Sequence, residues 1–89
     1  MKWKIGMKRL ALAKKIADRA TPYLKHKGVC TMDLLMAIVA CHVNGCKLDL
    51  QALSKADDAA IVHDVGGIMT HIDQDTGKLR NCFRPRFAL

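Results

Sequence analysis

Apolar positions in this 89-residue chain recur at three- and four-residue spacings rather than in alternation, so the local pattern is helical along most of its length. On a wheel of about 100° per residue, Leu10, Leu12, Ala13, Ile16, Ala17 and Ala20 share one face of the first segment, and Lys4, Lys8, Lys15 and Arg19 form a stripe opposite. This predicts a basic amphipathic helix over about residues 2–20. It should stop near Thr21-Pro22, because proline pushes the residue before it out of the helical region. Tyr23 to Gly28 then reads as a basic linker.

Thr31 is a natural N-cap with Asp33 in the first turn, and Met32, Leu34, Leu35, Met36, Ile38, Val39 and Val43 cover most of the next wheel, leaving only Asp33, Ala37 and Ala40 as a thin strip. A helix apolar nearly all round is a buried one, so this segment reads as the central pillar, ended by Asn44-Gly45. Asp49 can cap a short helix through Ala56 with Leu50 and Leu53 inward. Asp57 opens another, on which Ile61, Val62, Val65, Ile68, Met69 and Ile72 gather on one side. After a turn at Asp73-Gln-Asp-Thr-Gly77, residues 78–89 form a basic tail in which Phe83 and Phe87 stand among arginines, either packed back on the core or open to a partner. The predicted architecture is a single all-α domain over residues 1–89, a bundle of three to four helices with a helical core over about 31–72 and a basic C-terminal tail. A short hairpin near 72–83 is the alternative for the region of the turn.

Composition adds that the chain should fold: hydrophobic residues make up 51% and charged residues 26%, far from the signature of disorder. No apolar run approaches the roughly 20 residues of a membrane span, and Met1-Lys2-Trp3-Lys4 leads into no signal-peptide core, so the expectation is a soluble intracellular protein without membrane contact. The net charge of +7 hides a layout: residues 1–28 hold nine Lys and Arg against Asp18 alone, residues 29–77 hold Lys47 and Lys55 against seven Asp, and residues 78–89 hold Lys78, Arg80, Arg84 and Arg86 with no acid.

The chemistry-bearing residues point away from catalysis. Cys30, Cys41, Cys46 and Cys82 show no paired rhythm and read as free thiols; Cys41, His42, Cys46, His63, His71 and Cys82 could ligate zinc, but they lack the close-spaced pair on a tight loop with which structural zinc sites begin, His42 and Cys46 coming nearest, so neither metal nor cofactor is expected. Asp73, Asp75 and Gly77 resemble the start of a calcium loop, yet the glycine comes one position early and Arg84 stands where the bidentate glutamate belongs. Gly77-Lys78 lacks the rest of a phosphate-binding loop, and Cys41 and His42, adjacent on a helix, point about 100° apart. Enzyme activity is not expected. A helix-turn-helix over Leu50 to Ile72 is opposed by Asp57, Asp58 and Asp64, which would repel phosphates where a reading helix must approach them.

The stretch from Ala40 to Ala88 resembles a family of small uncharacterised proteins of tailed phages and prophages. The match is carried by Ala40-Cys41-His42, Asn44-Gly45, Leu48-Asp49-Leu50 with Leu53, Ala56-Asp57-Asp58, His63-Asp64-Val65, Gly67-Ile68, His71-Ile72-Asp73, Thr76-Gly77-Lys78-Leu79, Cys82-Phe83 and Pro85-Arg86-Phe87-Ala88. Gly66 departs from it, standing where the family carries an aromatic. The resemblance implies a phage or prophage origin, and with it the cytoplasm of a bacterial host cell, and supplies no function to carry over.

Two functional classes follow. The first is a binding protein that engages a host protein, modulating a host enzyme or defence complex, or that pairs with a second copy of itself. Its surface would be the strip Asp57, Ala60, His63, Asp64, Gly67 and His71, where small residues recur at helical spacing and two glycines give up about 2 kcal/mol of helix stability. A kink at Gly66-Gly67, or packing of the first helix on the strip, would explain the same pattern within the chain. The second class is a nucleic-acid-binding accessory protein, with phosphate contacts from Lys4, Lys8, Lys15, Arg19, Arg80, Arg84 and Arg86 and base stacking from Phe83 and Phe87.

Overall fold

A computed structural model of the chain describes residues 5–44, 47–73, 75–80 and 83–89. Among these it is a small all-α domain of four helices: α1 (Met7–Leu24), α2 (Thr31–Asn44), α3 (Leu50–Lys55) and α4 (Asp58–His71). A 3-10 turn over Lys25–Lys27, ended by Gly28 in the left-handed region at φ 78°, reverses the chain between α1 and α2. No single helix among the described residues is long and apolar enough to cross a membrane.

α1 begins at Met7 rather than near residue 2, and it runs through Thr21-Pro22 to Leu24 instead of stopping there. Proline removes one N–H and displaces the carbonyl four residues back, a loss that is small where that carbonyl meets water, and Asp18 and Pro22 are both exposed. The next turn compensates: the Thr21 hydroxyl donates to Ala17 O at 2.7 Å, the Lys25 N–H closes on Thr21 O, and Leu24 enters the core.

The hub of the bundle is α1, where the apolar pattern had pointed to α2. Ala13, Ile16, Ala17 and Ala20 are fully buried, and α1 packs against each of the other three helices. Alanine makes this geometry available, since a face without bulk lets several neighbours approach closely. α2 buries Leu34, Ala37, Ile38, Val39 and Cys41 but leaves Met32 and Met36 exposed at 58% and 49%, so it is a flanking helix. Thr31 is also not its cap. The Leu34 N–H closes the first turn on Cys30 O, while Asp33 reaches back to accept the Cys30 N–H at 2.9 Å, which holds its carboxyl below the ordinary value. The Thr31 hydroxyl instead shares a 2.8 Å hydrogen bond with that of Thr21, tying α2 to α1. The expected end of this helix at Asn44-Gly45 is met as far as Asn44; Gly45 lies outside the described residues.

The two aspartate caps stand as the sequence predicts. Asp49 accepts the Ala52 N–H at 3.1 Å and Asp57 accepts the Ala60 N–H at 2.8 Å, starting α3 and α4 with Leu50, Leu53, Ile61, Val65 and Ile68 buried. Past α4, the turn carries Gly77 at φ 72° and is closed by Gly77 N–H to Asp73 O and Asp73 N–H to Lys78 O. One isolated bridge, Ile72 to Leu79, is all that forms of a hairpin among the described residues. The tail then crosses α4 and lies antiparallel to residues 47–49, with the Asp49 N–H on Phe87 O at 2.8 Å and the Leu89 N–H on Lys47 O at 2.7 Å.

Candidate functional site

Two polar regions compete for function, and the first is the strip on α4. Asp64 is fully buried although it is ionisable. A buried carboxylate has to be supplied with donors. Its Oδ1 accepts the Arg86 N–H at 2.8 Å and its Oδ2 the Phe87 N–H at 3.0 Å, so one side chain of α4 clasps two successive peptide groups of the tail. His63 Nδ1 lies 3.0 Å from Oδ1 and carries the proton there, because a carboxylate only accepts. One helical turn on, a Cβ at Gly67 would overlap the ring of Phe83, which sits directly on the glycine. That ring is stacked on His71 at 5.0 Å and 9°, with His63 tilted at 5.8 Å and 41° on the other side. The His71 Nδ1 in turn donates to Gly67 O at 2.8 Å.

The strip singled out for a partner is therefore covered by the chain's own tail at Asp64, Gly67 and His71. Asp57 is exposed but engaged in its cap, Ala60 is half-buried, and His63 keeps an exposed edge. The covering element is the C-terminal tail, where the sequence had offered a kink or packing of the first helix. Gly66 faces Leu24 of α1 at ordinary van der Waals distance, so the two glycines serve two different neighbours without breaking α4. Phe83 and Phe87 are half-buried against the core, Phe83 with its ring stacked on His71, whereas Arg80, Arg84 and Arg86 are exposed.

The basic stripe of α1 divides as well. Arg19 is engaged within the fold: Nη1 donates to Ser54 O at 2.9 Å and Nη2 to Asp58 Oδ1 at 2.6 Å, while the Tyr23 hydroxyl donates to Asp58 Oδ2 at 2.7 Å. Tyr23 and Arg19 hold the Asp58 carboxyl below its ordinary value, and the Tyr23 hydroxyl is raised in return. Lys4 lies outside the described residues.

Lys8 and Lys15 belong to the second region, a groove of about 1020 Å³ between α1 and α3. Arg9, Lys47 and Lys55 join them on its walls, and Ala11, Leu12, Leu48, Leu50 and Leu89 supply apolar surface. All five cations are exposed, and among the described residues none lies within ion-pairing distance of a carboxylate. The one acid lining the groove, Asp49, is occupied with its cap. His42, at the groove wall, accepts the Leu48 N–H on Nδ1 at 3.1 Å. Burial, then the nearby charges of Arg9 and Lys47, push its pKa down, so the ring is neutral with its proton on Nε2. Ser54, also lining the groove, gives its hydroxyl to Gln51 O at 2.8 Å. Lys47 and Lys55 escaped the sequence reading because they sit alone within an acidic stretch, and Arg9 because it falls off the idealised stripe.

No three His, Cys, Asp or Glu side chains among the described residues stand where they could share a metal ion. Cys30 is exposed and Cys41 buried; Cys46 and Cys82, weighed as zinc ligands, lie outside the described residues. No curated protein and no solved structure matches the chain. Residues 8–89 match DUF6874, a family of unknown function, and the chain belongs to it; the match takes in all of α1 from Lys8 onward, beyond the stretch from Ala40 to Ala88.

Proposed function

We propose, for this member of a family with no assigned activity, a non-enzymatic binding protein that holds an acidic partner protein in the groove between α1 and α3. The observation that carries this reading is the set of five unpaired cations, Lys8, Arg9, Lys15, Lys47 and Lys55, around one concave surface. Like charges brought together without counter-charges raise the energy of the empty groove, and an anionic ligand relieves that repulsion as it gains its own contacts. The two side chains that could suggest chemistry are otherwise committed: the His42 Nδ1 lone pair holds the Leu48 N–H, and the Ser54 hydroxyl holds Gln51 O. In a phage or prophage setting, the partner would be a host enzyme or defence complex whose acidic surface is occupied by this chain.

The same cations, with Arg80, Arg84 and Arg86, support a second reading as a nucleic-acid-binding accessory protein. The inward packing of Phe83 and Phe87 favours the protein partner, since it leaves His42 as the one aromatic ring on the groove among the described residues. Fluorescence anisotropy with labelled oligoglutamate and labelled oligo(dT) tests both. For wild type, oligoglutamate binds and is released by salt; the variant Lys8→Gln/Lys15→Gln/Lys47→Gln binds it about tenfold more weakly, as expected when roughly 0.5 kcal/mol is lost per exposed pair. Equal binding by that variant removes the groove as the site.

A further inference from the structure

The shape of the groove says more than its charge. Its walls are cationic on both sides: Lys8, Arg9 and Lys15 rise from α1, while Lys47 and Lys55 flank α3. Between them Ala11, Leu12 and Leu89, with Leu48 and Leu50 beneath, give an apolar strip beside the polar His42, Asp49, Gln51 and Ser54, and Leu89 is 75% exposed. A ligand matching this cross-section is acidic along two edges and apolar along the face between. An extended polyanion carries its charge without that apolar face. A nucleic-acid strand has one, but its bases gain most from aromatic platforms, and among the described residues the lining holds a single aromatic ring, that of His42. An amphipathic helix has both features, since leucines at i, i+3, i+4 and i+7 form one stripe with the remaining positions on its flanks.

We infer that the groove takes an acidic amphipathic helix of the partner protein, its carboxylates on the lysine and arginine rims and its apolar stripe on Ala11, Leu12 and Leu89. This rests on the proposed acidic partner and names the form in which that partner presents its charge. His42 contributes a fixed neutral donor, Nε2–H, at the wall.

The test uses the full chain and three labelled probes: a peptide of roughly 18 residues with leucines at helical spacing and glutamates elsewhere, a scrambled peptide of the same composition without that periodicity, and oligo(dT). The periodic peptide is expected to bind at least tenfold more tightly than the scrambled one, to shift the methyl resonances of Leu12 and Leu89, and to weaken about tenfold with the exposed-site variant Ala11→Asp, whose circular dichroism matches wild type. Equal affinity for the two peptides overturns the helix inference while leaving an acidic partner in place. Tighter binding of oligo(dT) overturns both in favour of nucleic acid. Binding of none of the three overturns the groove itself.

Discussion

The polar strip of α4 and the cationic groove of α1 and α3 are both built from charged and small residues on helices, but their charges have opposite fates. On α4 the charged and imidazole groups close on the chain itself: Asp64 holds two peptide N–H groups of the tail and Phe83 fills the space over Gly67 between two histidines. In the groove five cations face solvent. Small residues at helical spacing show that something approaches closely, without showing what, and here it is a tail about twenty residues further on. The proposed partner surface rests instead on like charges gathered without counter-charges, whose mutual repulsion water and salt screen only in part.

The comparison breaks most sharply at Asp64. Asp64→Ala removes the acceptor of two part-buried tail N–H groups, and a loss of roughly 3 kcal/mol is expected from the charge-assisted bonds and the stranded donors. Chemical denaturation measures it, and proton exchange at Arg86 and Phe87 should rise with it. A change below about 0.5 kcal/mol would mean that the tail is not held by this carboxylate.

Next comes a pair of neighbouring substitutions with opposite signs. Gly67→Ala gains up to about 1 kcal/mol of helix propensity but drives Phe83 off its seat, so a net loss of roughly 1–2 kcal/mol is expected. Gly66→Ala has no such obstacle, its Cβ meeting Leu24 at 3.6 Å, and should stabilise the fold by about 0.5–1 kcal/mol. Thermal melts of the two variants read the difference directly. Two stabilising substitutions would show that the tail leaves Gly67 without loss.

The gentlest probe is pH. The folded-state pKa of His42 is depressed, so between it and the unfolded value near 6.5 the unfolded chain binds the extra proton. The stability contributed by the neutral ring is complete above about pH 6.5 and is lost as pH falls through the folded value. A His42→Gln variant should lose that part of the slope in a denaturation series. An unchanged slope would place the titration elsewhere.

Much of the fold was legible in residue order because its determinants are local. The Asp49 and Asp57 caps, the inward face of Ile61, Val65 and Ile68, and the breaks around α3 depend on side chains within a turn or two of one another. Proline at position 22 misled because its cost depends on whether the displaced carbonyl meets water, and that is settled by where α1 lies in the bundle. α2 misled for a related reason: hydrophobic identity says that a side chain can be buried, while the alanine face of α1 decides which helix becomes the hub. The tail's return onto α4, and the gathering of Lys8, Arg9 and Lys15 with Lys47 and Lys55, join residues some twenty to forty-five positions apart. No periodicity spans that distance, so residue order determined the helices and their caps, and only tertiary packing decided which charges close on the chain and which face outward.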